Sequence, residues 1–233
     1  MRPESNLLAD QQAMTKLPSV FLAVFIFVGC TGYSVTGGPG PLVHEPLSVE
    51  VSPKFKPGQL HDITVYPLSA GATYHLDEGV GSQLDAALVS ALANTTAVNV
   101  LNVSAPELIA PALAKVAQMH STERQKALAF GSAVHAQAVL FGVVTRFRDS
   151  SGGRMGANEP ASIDFRLWLV DARTKEELWS AVYEKSEQPL TNNLFRMPQE
   201  LHGGVAYESA MQMAKEGFSA AARALENLRH GAE

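Results

Sequence analysis

SIDFRLWLVDARTKEELWSAVYEK, residues Ser162 to Lys185, reads as two strands joined by a turn, and the remaining elements can be arranged around it. Ile163, Phe165, Leu167 and Leu169 alternate with Asp164, Arg166 and Trp168, a period of two that turns one face of a strand inward. Asp171 to Lys175 makes the turn and Leu178 to Glu184 the return strand. The Asp171 carboxylate is suited to an Asx-type turn, Thr174 to capping the return, and Trp179 to packing on the sheet.

Upstream, AQAVLFGVVTRFR (Ala136 to Arg148) is the longest apolar strand and is hydrophobic on both faces at its start, which places it in the middle of a sheet. Asp149 to Glu159, DSSGGRMGANE, reads as a Gly-rich loop. HDITVYPL (His61 to Leu68) is a strand, and VNVLNVS (Val98 to Ser104) a second one. Between them Leu76, Val80, Leu84, Ala87, Leu88, Ala91 and Leu92 recur at helical spacing. Ser104 is the expected N-cap of a helix from Pro106 to Met119, within which Pro111 should restart or kink it. Ser121-Thr122-Glu123 opens another helix. The last runs from Val205 to Arg229, with Ala210, Met213, Ala214, Gly217, Phe218, Ala221, Leu225 and Leu228 on its buried stripe. The order β-α-β-α-α-β-β-β-α predicts a mixed β-sheet packed with helices, an α/β (α+β) fold in a single domain over residues 60–233.

The succession VLFGVVTRF and RLWLVDARTKEELWSA resembles the periplasmic lipoproteins grouped around LpoB, CsgG and the amino-terminal domain of TolB. Their hairpin turn reads L-V-D-x-x-T-G-x-x-L-W, matched here by Leu169, Val170, Asp171, Thr174, Leu178 and Trp179. Lys175 stands where that group has glycine, so the turn need not carry the group's left-handed position. The resemblance covers His61 to Lys185. It implies a non-enzymatic envelope component that assembles, activates or builds pores.

The amino-terminal part fits an exported protein. Leu17 to Gly29 is an apolar run about a dozen residues long, too short for a bilayer span and in the range of a secretory signal. Lys16 precedes it, and Gly29 sits before Cys30, the one cysteine in 233 residues. Phe27-Val28-Gly29-Cys30 resembles a lipobox, departing from it at Phe27, where leucine is usual. Residues 1–29 are thus read as a signal peptide, with translation expected to start at Met14 because Glu4 and Asp10 suit a signal poorly. Cys30 is the expected lipidation site, the alternative being a buried core thiol. Residues 30–59, rich in Gly and Pro, form a tether; if flexible it reaches roughly 30 Å, and Leu47 to Val51 could add an edge strand to the sheet. Thr31 after Cys30 lacks the aspartate of an inner-membrane retention signal, so the expected location is the periplasmic face of the outer membrane.

Net charge is −5, with Lys and Arg scattered, which argues against nucleic acid as a partner. The histidines have no metal-ligand spacing, His202-Gly203-Gly204 has no G-x-S-x-G to accompany it, and Gly79 and Gly81 lack a third glycine. No catalytic residue, metal or cofactor is therefore expected. The functional reading is an adapter or assembly factor that binds the membrane through lipid on Cys30 and docks on an envelope protein by its sheet edge or last helix, with self-association open. A secretion pore subunit and a small-ligand-binding protein are the alternatives. Arg154 and Met155 at a loop tip are candidate contacts. So are Phe195 and Met197, which either pack beneath the domain or form a partner patch.

Overall fold

The computed structural model describes residues 46–187 and 208–230, apart from residues 57, 59, 73, 96–97 and 154–155, and only the backbone of 151–153, 156–159 and 229–230. Three long strands form its centre: β5 (Ala138–Arg148), β8 (Ser162–Asp171) and β9 (Glu177–Ser186), with β8 antiparallel to both neighbours. The turn between β8 and β9 is built as its residue types dictate. Asp171 Oδ1 accepts the backbone N–H of Arg173 at 2.8 Å and of Thr174 at 2.6 Å, and Glu176 N–H donates to Thr174 Oγ1 at 3.4 Å. Lys175 has φ 62°, so the left-handed position is kept without glycine. That conformation costs about 1–2 kcal/mol for a side chain with a Cβ. It is held by the bond from Lys175 N–H to Asp171 O at 2.9 Å and by Arg124, whose Nη2 donates to Lys175 O at 3.2 Å.

On one flank β2 (Asp62–Val65) pairs parallel with β5, and β4 (Asn99–Val100) parallel with β2; β3 (Ser69–Ala70) continues alongside β5. On the other flank β1 (Leu47–Val51) pairs antiparallel with β9. The result is one mixed seven-stranded sheet, six strands in the order β1-β9-β8-β5-β2-β4 and β3 as the seventh beside β5, with helices packed on it. Residues read as a loop between β5 and β8 instead form a separate short hairpin, β6 (Ser151–Gly153) and β7 (Gly156–Glu159). Its glycines and polar residues gave no alternating pattern to recognise.

The stretch VNVLNVS is only briefly a strand, because Leu101–Ser104 turns into a helix, α2. Asn102 explains the change. Its side-chain amide substitutes for a strand neighbour, accepting Val65 N–H at 2.7 Å and donating to Val65 O at 2.9 Å. Ser104 does not cap the next helix; its hydroxyl donates to Val100 O, and the N-cap of α3 (Pro106–Ala117) is Ala105. The helix α3 runs through Pro111, which lies on its exposed side. Thr122 forms a reciprocal capping box with Gln125 at the start of α4 (Glu123–Ala133).

The sheet has two unequal faces. One carries Ile63, Leu140, Ile163, Phe165, Leu167, Leu169, Trp179 and Tyr183 into a large core under α1 (Glu78–Ala93) and α5 (Ala210–His230). The other is covered by α3 and α4 only over Tyr66, Val139, Phe141 and Val170. The expected stripe on the last helix is buried from Ala210 to Leu225, with Met213, Ala214 and Phe218 fully enclosed, while Leu228 near its end is only partly covered. The helix seats where Gly217 meets the stacked rings of Phe165 and Tyr183, 5.1 Å apart; a Cβ on Gly217 would lie 2.8 Å from Tyr183 and 2.9 Å from Phe165. Asp149, just past β5, fixes its first turn by accepting Ala210 N–H at 2.8 Å. Among the described residues no helix is long and apolar enough to cross a membrane.

Gly217→Ala is expected to lower unfolding stability by about 1–3 kcal/mol in a urea titration, because the ring floor cannot withdraw from an added methyl. Gly79→Ala, at a site with nothing within 4 Å, should instead leave stability unchanged or raise it by about 0.5 kcal/mol. Equal losses from both would contradict this seating of α5.

Candidate functional site

Buried titratable groups are the usual pointers to chemistry, and here they serve the fold. Burial pushes Asp85 up to about 6, against the hydrogen bond it accepts from Leu68 N–H at 2.7 Å, which acts to lower it. That bond ties α1 to the link between β2 and β3. Burial, followed by the charge and hydrogen bond of Glu123 at 3.4 Å, pushes Tyr66 up to about 12. The Tyr66 bond to Glu123 likewise ties the end of β2 to the first turn of α4. Gly79 and Gly81 lie in the first turn of α1, not in a phosphate-binding loop. Among the described residues no group of three His, Cys, Asp or Glu side chains is placed to hold a metal.

What the described residues do offer is surface for binding. On the less covered face, Trp168 is stacked on Phe141 at 5.4 Å, and the Arg166 guanidinium lies 5.4 Å from the Trp168 ring. Alternation along the strand had already turned Arg166 and Trp168 outward. Half-buried Val143 and Val182 extend this face toward β9.

The second surface is the sheet edge. Ser52 N–H donates to Leu178 O and Glu184 N–H to Pro46 O, both at 2.9 Å, so the even-numbered residues of β1 face β9 in the antiparallel ladder. The N–H and C=O groups of Leu47, Val49 and Val51 therefore point away from the sheet, and no described strand pairs with them. Leu47 and Val49 still pack on the core, which fixes the strand, while Val51 is 42 % exposed.

Beside this edge an open groove of about 530 Å³ runs between β9 and α5, lined among others by Tyr183, Lys185, Gln212, Lys215, Glu216 and Arg223. Lys185 crosses from β9 to bond Glu216 at 2.6 Å and Glu208 at 2.9 Å. Burial alone would lower its pKa; the two carboxylates outweigh that and hold it up at about 12. Glu216 is correspondingly lowered by the hydrogen bond from Lys185. These ion pairs link β9 to α5 across the groove, and Lys215 and Arg223 add positive charge to it.

Cys30, Arg154, Met155, Phe195 and Met197, singled out from the sequence, lie outside the described residues, as does His202-Gly203-Gly204. The edge strand was legible as Leu47 to Val51. Which of its backbone groups face outward was not, because that depends on its register against β9.

No protein-family model matches the sequence, and no curated protein matches it. Solved structures similar to it include the PelC dodecamer from Paraburkholderia phytofirmans, 13% identical, covering 77% of this chain and 97% of that one with a TM-score of 0.45. The LpoB C-terminal domain from Escherichia coli is 22% identical and covers 55% of this chain and 83% of that one, with a TM-score of 0.37. Lipoprotein GNA1162 from Neisseria meningitidis is 18% identical and covers 62% of this chain and 99% of that one, with a TM-score of 0.39. At these identities and scores the likeness assigns neither an activity nor a partner to this chain.

The raised pKa of Asp85 fixes the sign of a pH effect. The folded state holds this proton more tightly than the unfolded chain, so through this group stability rises as pH falls from about 7 toward 4. Asp85→Asn, which keeps an acceptor for Leu68 N–H, should be more stable than wild type at pH 7.5 and should show a smaller gain on acidification. Thermal melts from pH 7.5 to 4.5 measure this; an unchanged slope would contradict it.

Proposed function

We propose that this chain is a non-enzymatic lipoprotein of the cell envelope, anchored to the outer membrane through Cys30, whose domain works by docking a partner protein on the edge of its sheet. The observation that carries the reading is the outward row of backbone groups on β1, held firm by the core beneath Leu47 and Val49. An extended segment added there gains main-chain hydrogen bonds, with α5 alongside to contact its side chains. The Phe27 to Cys30 string and the hairpin resemblance to the LpoB, CsgG and TolB group support the envelope setting. A free sheet edge left exposed invites unwanted pairing. Use of that edge for a partner gives it a role.

The pore reading is less well supported. Strands β6 and β7, of 3 and 4 residues, fall short of the roughly 9–11 residues that a spanning strand needs.

Two substitutions test the proposal in a Gram-negative host. Cys30→Ala should leave the chain without its lipid and release it from the outer-membrane fraction. A photo-cross-linking side chain in place of Val51 should capture an envelope protein, and Val49→Pro, which edge strands tolerate, should abolish that capture without unfolding the domain. Identical fractionation of wild type and Cys30→Ala would overturn the anchor. Capture that survives Val49→Pro would overturn docking by the edge.

A further inference from the structure

A second feature lies at the opposite end of β1, away from where the chain enters it. A cavity of about 390 Å³ opens between the segment after β1, the residues just before β2 and β5, and the β8–β9 turn. Its apolar lining includes Phe55, buried Leu60 and Ala136. Around it stand Lys54, Lys56, Arg173 and Gln137, brought from three separate parts of the chain.

The charges on this cavity are unequal. Asp171 is the carboxylate among its lining residues, and its Oδ1 already accepts two backbone N–H groups of the turn. Lys54 is paired outside the lining with Glu176 at 2.5 Å. Gln137 Oε1 is used by His61 N–H at 2.6 Å and Asp62 N–H at 3.1 Å, which leaves its amide N–H groups as the side chain's remaining capacity. Three cations and an amide donor thus share one concavity in a chain of net charge −5.

We propose that this cavity binds the carboxylate of an acidic peptide segment that also carries an apolar side chain. The planar fork of Arg173 suits two-point bonding to a carboxylate, with the lysines adding point charge. A free inorganic anion would use the cations but leave the half-buried Phe55 facing water; a peptide satisfies both parts. The volume lies within the range of about 300–1,000 Å³ usual for ligand sites. This site is separate from the β1 edge and does not depend on how that edge is used.

The test is fluorescence anisotropy with the full chain in mild detergent and a labelled Leu-Asp-Glu-Leu peptide at low salt. The acidic peptide should bind, and its neutral Leu-Asn-Gln-Leu amide should bind at least about tenfold more weakly. Lys56→Gln combined with Arg173→Gln should weaken the acidic peptide by about tenfold without shifting the melting temperature, since both side chains are exposed. Val49→Pro should leave this binding unchanged, which separates the result from the fate of the edge reading. Absence of binding, equal binding of the neutral peptide, indifference to the double substitution, or inorganic phosphate binding as tightly as the peptide would each overturn the proposal.

Discussion

The contact of Gly217 with the paired rings of Phe165 and Tyr183 is the constraint on which the rest of the molecule depends. It lets α5 lie close enough for Phe218 to reach Phe165 at 4.6 Å and for Met213 and Ala214 to be wholly enclosed. The rings come from β8 and β9, so the helix seats on the hairpin and not on the parallel flank. Asp149 at one end of the helix and Lys185 along its side set its position with directed bonds. Dispersion and burial supply the attraction, and the missing methyl of Gly217 supplies the fit.

With α5 seated there, the outermost strand is covered on one face and open along one side. Leu47 and Val49 are held by the same core that holds the helix, so β1 is ordered without a second strand beyond it. A rigid edge is a better docking surface than a fraying one, because less ordering is left to the moment of binding. The two ends of β1 also differ: the chain enters beside the groove under Lys215 and Arg223, and leaves it toward the cavity of Lys56 and Arg173. Association of an acidic partner with either surface would weaken as salt screens those charges.

The sheet's centre was legible because its strands announce their faces. Two-residue alternation from Ile163 to Leu169 and the apolar run from Val139 to Val144 each have one reading. The stripe on the last helix was equally plain. Departures occurred where a side chain replaced backbone chemistry or a local rule had a compensated exception. Asn102 completes the pairing of Val65 and frees the chain to become helical four residues before a strand pattern would end. Lys175 takes a left-handed conformation because Asp171 organises the turn around it. The β6–β7 hairpin had no hydrophobic pattern to reveal it. Of the candidate site, the strand was visible and its outward backbone groups were not, since these follow from long-range pairing with β9. The cationic cavity joins residues from distant parts of the chain, which no local pattern could assemble.

The most direct measurement is residue-resolved amide hydrogen exchange along β1 in the full chain. An open edge predicts alternation: slow exchange at Ser48, Glu50 and Ser52, whose N–H groups face β9, and fast exchange at Leu47, Val49 and Val51. Uniform protection along the strand would mean that the edge is already covered, and the account of this protein as an adapter that offers a free strand edge would be wrong.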